Sequence, residues 1–159
     1  MKYCPECSAL LEPRNIDQKQ RLACARCNFI DWDNWMNVAV VVVAYNEQKE
    51  FAMVRMKSQQ SGTLTFPQGF RELGETLEEA AQREFLEEAG FHIHDLSLHD
   101  IYVDDTKRLL WISFTAQLGT GEFRENEETS ELVFFSSANP PAKETLRGHL
   151  TQRLLASIL

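Results

Sequence analysis

Two groups of side chains in this sequence have types and spacings suited to chemistry. The first is four cysteines in two tight pairs, CPEC at Cys4 to Cys7 and CARC at Cys24 to Cys27, with sixteen residues between the pairs and no cysteine elsewhere. Each pair offers two sulfurs from one turn, and two such turns close a tetrahedral four-thiolate shell that suits Zn2+. A shell without an open position holds structure rather than doing chemistry. A rubredoxin-like iron site and disulfides are the alternatives, the latter disfavoured in a reducing compartment. The second group is acidic: GETLEEAAQREFLEEAG, Gly74 to Gly90, places six glutamates among seventeen residues with Arg83 as the one basic side chain.

A helix accounts for that stretch, and the helix makes the acids a problem. Thr76 and Glu79 have the T-x-x-E form of a capping box, and Gly90 stands where a left-handed C-cap would end the helix. With Glu84 set at 0°, Leu77 falls at about 20°, Glu88 at about 40°, Ala81 at about 60°, Ala80 at about −40° and Glu87 at about −60°. Glu84 and Glu88 therefore point along the apolar stripe, unlike Glu78, which a solvated outer face explains. Four residues apart, they repel by a few tenths of a kcal/mol in water and by more where water is excluded. Arg83, at about −100°, can reach Glu87 or Glu79, but one guanidinium cannot neutralise Glu75, Glu84, Glu87 and Glu88 together. Hard oxygen ligands of this kind suit Mg2+ or Mn2+, and magnesium bridges phosphate oxygens. The pattern points to phosphoanhydride chemistry.

The elements that must position these groups can be read around them. FIDWDNWM, Phe29 to Met36, is too apolar for a free linker, and Phe29, Trp32 and Trp35 are expected to dock a small N-terminal module onto the rest. VAVVVVAY, Val38 to Tyr45, reads as a central strand buried on both faces, followed by a turn at NEQK and a strand FAMVRM, Phe51 to Met56. HDIYVDD and LLWISFTAQL are two further strands, and ELVFF, Glu131 to Phe135, is a short one. After Pro140 and Pro141, a repeat at Leu146, Leu150, Leu154 and Ile158 marks a closing amphipathic helix. The expected organisation is a zinc-binding module over residues 1–33 and an α/β domain with a mixed sheet over residues 34–159. His92, His94 and His99 alternate like one strand face, and they and His149 read as structural.

With 159 residues, 43% of them hydrophobic, the chain can build one good core and a small appendage. No stretch approaches the roughly 18 apolar residues needed to span a bilayer, and the N-terminus lacks a basic region before a long apolar run. The expected compartment is the cytoplasm, with no membrane partner. The net charge is −8, and residues 1–33 carry five basic and five acidic residues, so the whole deficit lies beyond them. It is concentrated between Glu72 and Glu88 and between Glu122 and Glu131, which argues against broad electrostatic binding to nucleic acid.

The residues from Gly69 to Phe91 match the pattern GX5EX7REUXEEXGU throughout, with U an apolar residue: Gly69, Glu75, then Arg83-Glu84-Phe85-Leu86-Glu87-Glu88-Ala89-Gly90-Phe91. On that match the chain resembles a Nudix hydrolase, and the strands and final helix extend the likeness over about residues 36–159. The zinc module resembles the ribbon preceding the catalytic domain in the NADH-pyrophosphatase branch. The resemblance implies a loop–helix–loop signature on an α/β/α sandwich that hydrolyses a nucleoside diphosphate linked to another moiety. It implies Glu84 and Glu88 as the main magnesium ligands, with Glu87 and Glu75 completing the site directly or through water and the Gln68 carbonyl adding a ligand. Arg83 would orient the glutamates, Gly69 and Gly90 would serve backbone geometry, and Phe85 and Phe91 would pack. Nudix hydrolases often draw a general base from a loop in this region, so the resemblance implies one from Glu127, Glu128 or Glu131 in a surface loop, with Glu128 favoured; that carboxylates bound to metal are poor proton acceptors agrees with this.

Substrate choice has several candidates. ADP-ribose, another nucleotide sugar, or a dinucleotide such as FAD or NADH is favoured. FPQG, Phe66 to Gly69, is also similar to the run before the signature in dinucleoside polyphosphate and RNA 5′-pyrophosphohydrolases. The segment HIHDLSLHDIYVDD stands where the NADH-pyrophosphatase branch has an SQPWPFP-like run, so the ribbon alone does not assign the substrate. Arg55 and Arg71 are candidates to steady a phosphate, and Tyr102, Phe66 and Trp111 to stack a base, although aromatics in strands are more often core. The expected partner is a small nucleotide, with a homodimer as the assembly to test. The reading from another class is a non-catalytic zinc-ribbon nucleotide-binding regulator.

Overall fold

The uninterrupted β-branched run forms β4 (Asn37–Tyr45), and every residue from Ala39 to Ala44 is buried. Its side chains alternate between two cores. Val40, Val42 and Ala44 pack with Ala80, Ala81 and Phe85 of α1 (Leu77–Ala89), whereas Val41 and Val43 pack with Leu154 and Leu155 of α2 (Gly148–Ile158). A strand covered by a helix on each face has no polar side, so its sequence shows no alternation. The structure, a computed structural model, describes residues 1–57 and 62–159.

The main sheet is completed by β5 (Phe51–Met56), β8 (Phe91–Asp104), β9 (Leu109–Gly121) and β10 (Thr129–Phe135), in the order β10-β5-β4-β9-β8. Strands β4 and β9 run parallel and the other neighbours antiparallel, which makes the sheet mixed. The β4–β5 pairing holds at Tyr45 and Phe51. Further along, β6 (Leu64–Thr65) pairs with β5 and β7 (Gln68–Phe70) pairs with β4. The Pro67 carbonyl accepts from Val42 N–H at 2.9 Å between them. This inserted segment brings Gln68 and Gly69 to the face that α1 covers.

Three expectations of extent change. The final helix begins at Gly148, and Leu146 precedes it, buried and extended in a bridge to Leu64. Its four-residue spacing from Leu150 marks a shared core rather than a shared helix. The second acid cluster is a loop only as far as Glu128, because Thr129 to Leu132 already pair with β5. HDIYVDD is the end of a longer strand that begins at Phe91 and contains all three histidines of the region. Among the described residues no helix is long and apolar enough to cross a membrane.

Contacts divide the chain into two units, Met1–Met36 and Asn37–Leu159. The first consists of β1 (Leu11–Ile16), β2 (Lys19–Cys24) and β3 (Ile30–Asp31) in one antiparallel sheet. Asp17 and Gln18 join β1 to β2 with φ of 51° and 62°, the left-handed pair that a two-residue hairpin requires. Within this unit Phe29 packs beside Cys4, Leu11 and Cys24, and the Arg21 guanidinium lies 4.8 Å from the centre of the Trp32 ring.

Candidate active site and metal centres

The four cysteines of the first unit are brought together, with their sulfurs all within 4.8 Å of one another. Tight turns produce this: Cys4 N–H donates to the Ala9 carbonyl at 2.8 Å, Cys24 N–H to the Phe29 carbonyl at 2.8 Å, and Arg26 N–H to Cys24 Sγ at 3.3 Å. The Cys27 and Arg26 backbone N–H groups pull the Cys24 thiol down to about 6. At Cys27 the Phe29 N–H acts in the same direction, but the Cys4 thiol and burial outweigh it and push the group up to about 12. Four thiolates cannot form side by side without a cation, and the spacing fits a tetrahedral zinc ion with Zn–S bonds of about 2.3 Å.

In the second unit the acid helix forms as its caps require. Thr76 Oγ1 accepts from Glu79 N–H at 3.1 Å while Glu79 Oε2 accepts from Thr76 N–H at 2.7 Å. Gly90 closes the helix at φ 76°, its N–H reaching the Leu86 carbonyl at 2.9 Å. Glu79 is thus consumed by capping and does not meet Arg83. Arg83 instead spans Glu75 at 2.8 Å, Glu84 at 2.7 Å and Glu87 at 3.3 Å, and donates to the Phe70 carbonyl at 2.9 Å. The hydrogen bonds from Arg83 and from Glu72 N–H hold the Glu75 carboxyl down at about 2.

Glu88 stands outside this cluster. It is 5% exposed, and its Oε2 accepts from Gln68 N–H at 2.9 Å. Burial pushes its carboxyl up to about 8; the Gln68 N–H works against that, and the charges of Glu84 and Glu128 reinforce it. Glu84 is also raised, by burial first, with Arg83 opposing. A Cβ on Gly69 would collide with the Glu84 carboxylate and force it to move. Among the described residues only the cysteines gather three or more ligand atoms within 4.8 Å of one another. Arg83 occupies the space among Glu75, Glu84 and Glu87. Glu88, buried beside other carboxylates with a single hydrogen-bond donor among the described residues, is the group that a divalent cation would relieve.

The loop bearing the second acid cluster hangs from the last turn of α1. Asn126 Nδ2 donates to the Glu87 carbonyl at 3.0 Å, and its Oδ1 accepts from Glu128 N–H at 2.9 Å and Thr129 N–H at 2.8 Å. Thr129 Oγ1 donates to the Glu88 carbonyl at 2.9 Å in a buried setting. Glu127 and Glu128 consequently border the same cavity of about 1200 Å³ as Glu84 and Glu88. Glu131 does not: it lies in β10, bound to Arg55 Nε at 2.6 Å. Tyr102 and Trp111 line the cavity too, whereas Phe66 is buried in the core against Phe135. Sequence reading missed Lys107, Arg147 and Arg153, which supply positive charge along another part of its wall.

A model of the NUDIX domain matches residues 35–154. The chain therefore belongs to the NUDIX domain family. Among curated proteins it is 27% identical over 164 residues to the NAD-capped RNA hydrolase NudC of Vibrio cholerae, covering 99% of this chain and 59% of that protein. It is also 32% identical over 108 residues to the ADP-ribose pyrophosphatase of Methanocaldococcus jannaschii, covering 65% of this chain and 64% of that one. The chain thus spans less than two thirds of the length of these relatives. In fold it is similar to a NUDIX hydrolase from Nitrosomonas europaea, with a TM-score of 0.78, 24% identity, and coverage of 98% of this chain and 88% of that structure.

Proposed function

We propose that the chain is a magnesium- or manganese-dependent pyrophosphohydrolase that splits the diphosphate of a nucleoside diphosphate joined to a second moiety, such as ADP-ribose, FAD or NADH. The observation that carries this reading is the cavity of about 1200 Å³ into which Glu84, Glu88, Glu127 and Glu128 converge beside Tyr102 and Trp111. It exceeds the usual volume for a drug-sized ligand, about 300–1,000 Å³, and so has room for two linked moieties.

Glu88 and Glu84 would hold the divalent ion, with Glu75 and Glu87 joining through water or by release from Arg83. When bound, the ion supplies charge to offset the diphosphate oxygens and acidifies a water. The protein's share is geometric. Gln68 N–H fixes one oxygen of Glu88, Arg83 aligns Glu84, and Asn126 sets Glu128 at the cavity edge. Glu128 accepts the proton as the water oxygen bonds to phosphorus and the bridging P–O bond breaks, the leaving phosphate taking that electron pair. Glu127 is the second candidate for this proton, and Glu131 is unsuited because Arg55 holds it elsewhere. Zinc in the cysteine shell would serve structure alone.

A second reading is favoured by the relative named as an NAD-capped RNA hydrolase, since an NAD cap carries the same kind of linkage between two nucleosides. The deciding experiment is a screen of ADP-ribose, FAD, NADH, dinucleoside polyphosphates and NAD-capped or triphosphorylated RNA with magnesium or manganese, products resolved by chromatography. Turnover of the first three supports the favoured reading, and preference for capped RNA supports the second. Nucleotide binding without turnover under either metal would establish the non-catalytic regulator instead.

A further inference from the structure

The arginines that sequence reading offered for phosphate are already engaged. Arg55 donates to Glu131 at 2.6 Å and to the Gly62 carbonyl at 2.8 Å, and Arg71 Nε donates to the Glu75 carbonyl at 2.8 Å. Arg83 is committed to its glutamates and to the Phe70 carbonyl. Arg147 differs. It is partly buried and lines the cavity that holds Glu84 and Glu88, yet among the described residues its guanidinium has no hydrogen-bond or ion-pair partner.

Its place is fixed by the segment that also fixes the acid site. Arg147 N–H donates to the Leu64 carbonyl at 2.8 Å, and the preceding Leu146 forms a bridge to the same Leu64. Leu64 opens the run through Pro67 to Gln68, whose N–H holds Glu88. One short stretch of chain therefore sets both the guanidinium and the carboxylate, and the charge of Arg147 is felt at Glu88. A guanidinium with no hydrogen-bonded anion keeps its planar fork of donors available to one. Here the cavity has carboxylates on one part of its wall and an unsatisfied guanidinium on another. The order that satisfies both is carboxylate, divalent cation, phosphate, guanidinium.

Resting on the hydrolase reading above, we infer that Arg147 is a phosphate-binding residue of this site. Two of its N–H donors meet two non-bridging oxygens of the substrate diphosphate, on the side away from the glutamates. Arg147 then selects ligands with two linked phosphates over those with one.

The test is calorimetric titration of ADP, AMP and adenosine with magnesium into the parent, Arg147→Ala and Arg147→Lys, alongside KM and kcat for ADP-ribose. Arg147→Ala should bind ADP at least about tenfold more weakly, the loss typical of a charge-assisted hydrogen bond. AMP should suffer less and adenosine should be unaffected, while Arg147→Lys recovers part of the loss. For ADP-ribose the change should fall in KM at least as much as in kcat. ADP affinity within twofold of the parent overturns the inference. So does an equal loss for adenosine, which would mean an altered cavity shape, or a parent that does not bind ADP. If the parent binds ADP but hydrolyses nothing in the screen, the hydrolase reading fails while the titrations still decide Arg147.

Discussion

Glu88 and Glu84 are four residues apart on one helix and face different conditions. Glu84 has Arg83 at 2.7 Å, whereas Glu88 has a backbone N–H and, among the described residues, no cationic hydrogen-bond partner. In metal-free protein the Glu88 carboxyl is held at about 8, against roughly 4.3 for an unfolded glutamate. The folded state binds this proton more tightly, so the group's contribution to stability is greatest below the unfolded value and is lost as pH rises towards about 8. With metals chelated, the melting temperature of the parent should therefore fall from pH 5 to 8 relative to Glu88→Gln, whose amide oxygen can still accept from Gln68. Magnesium replaces the proton, so its affinity should rise with pH over the same window. Parent and variant melting curves that run parallel with pH would remove the argument. Glu84→Gln is the complementary change: its oxygen can still meet Arg83, so the fold should persist while turnover drops at least about a hundredfold, the scale of a lost metal ligand. Near-parental magnesium-dependent turnover on the best substrate would count decisively against Glu84 as a ligand.

At the scale of elements, the site depends on how three segments meet: α1, the β6–β7 insertion and the loop before β10. The Asn126 side chain links that loop to the Glu87 carbonyl and to two N–H groups of its own chain. Asn126→Ala should lower thermal stability by about 1–3 kcal/mol through unmet backbone groups and reduce turnover by displacing Glu128. Glu128→Gln should leave melting unchanged and cost at least about a hundredfold in turnover at unaltered magnesium dependence. Glu131→Gln should stay within a few-fold of the parent, since its partner is Arg55. If Glu128→Gln also stays within a few-fold, the proton goes elsewhere and the loop is a solvated edge. The contiguous part of this site was legible in the sequence because caps, stripe and signature all lie within one helix and its flanks. The tethers were not. Asn126 reaches a carbonyl 39 positions away, and Arg147 meets the β6 segment through pairing that no local pattern encodes. Of the two partners that helical geometry offered Arg83, Glu87 is met at 3.3 Å, but the capping box had already taken Glu79, and Glu75 lies before the helix begins.

At the scale of the whole chain, the two proposed metal sites differ in kind, and removal of their metals should separate. The cysteine spacing was readable because each pair sits in one turn, and four sulfurs within 4.8 Å of one another bear that out. Its core is small, with Cys4, Leu11 and Cys24 as the buried residues of its cluster, so little besides the metal would hold it. Structural zinc in such modules contributes folding free energy directly. Cys24→Ser removes the thiol that the Cys27 and Arg26 backbone N–H groups hold down at about 6, one well prepared as a thiolate. That variant should lose bound zinc by metal analysis and show early proteolysis within residues 1–36. Magnesium-dependent turnover of a small substrate should survive, because Glu84, Glu88, Glu128 and the segment that fixes them all belong to Asn37–Leu159. Stripping magnesium with a chelator too weak to extract thiolate-bound zinc should do the reverse, abolishing turnover while leaving the zinc content intact. A folded Cys24→Ser protein that had lost all hydrolysis at unchanged magnesium affinity would mean that the zinc module takes part in binding substrate, and the separation of structural from catalytic metal would have to be abandoned.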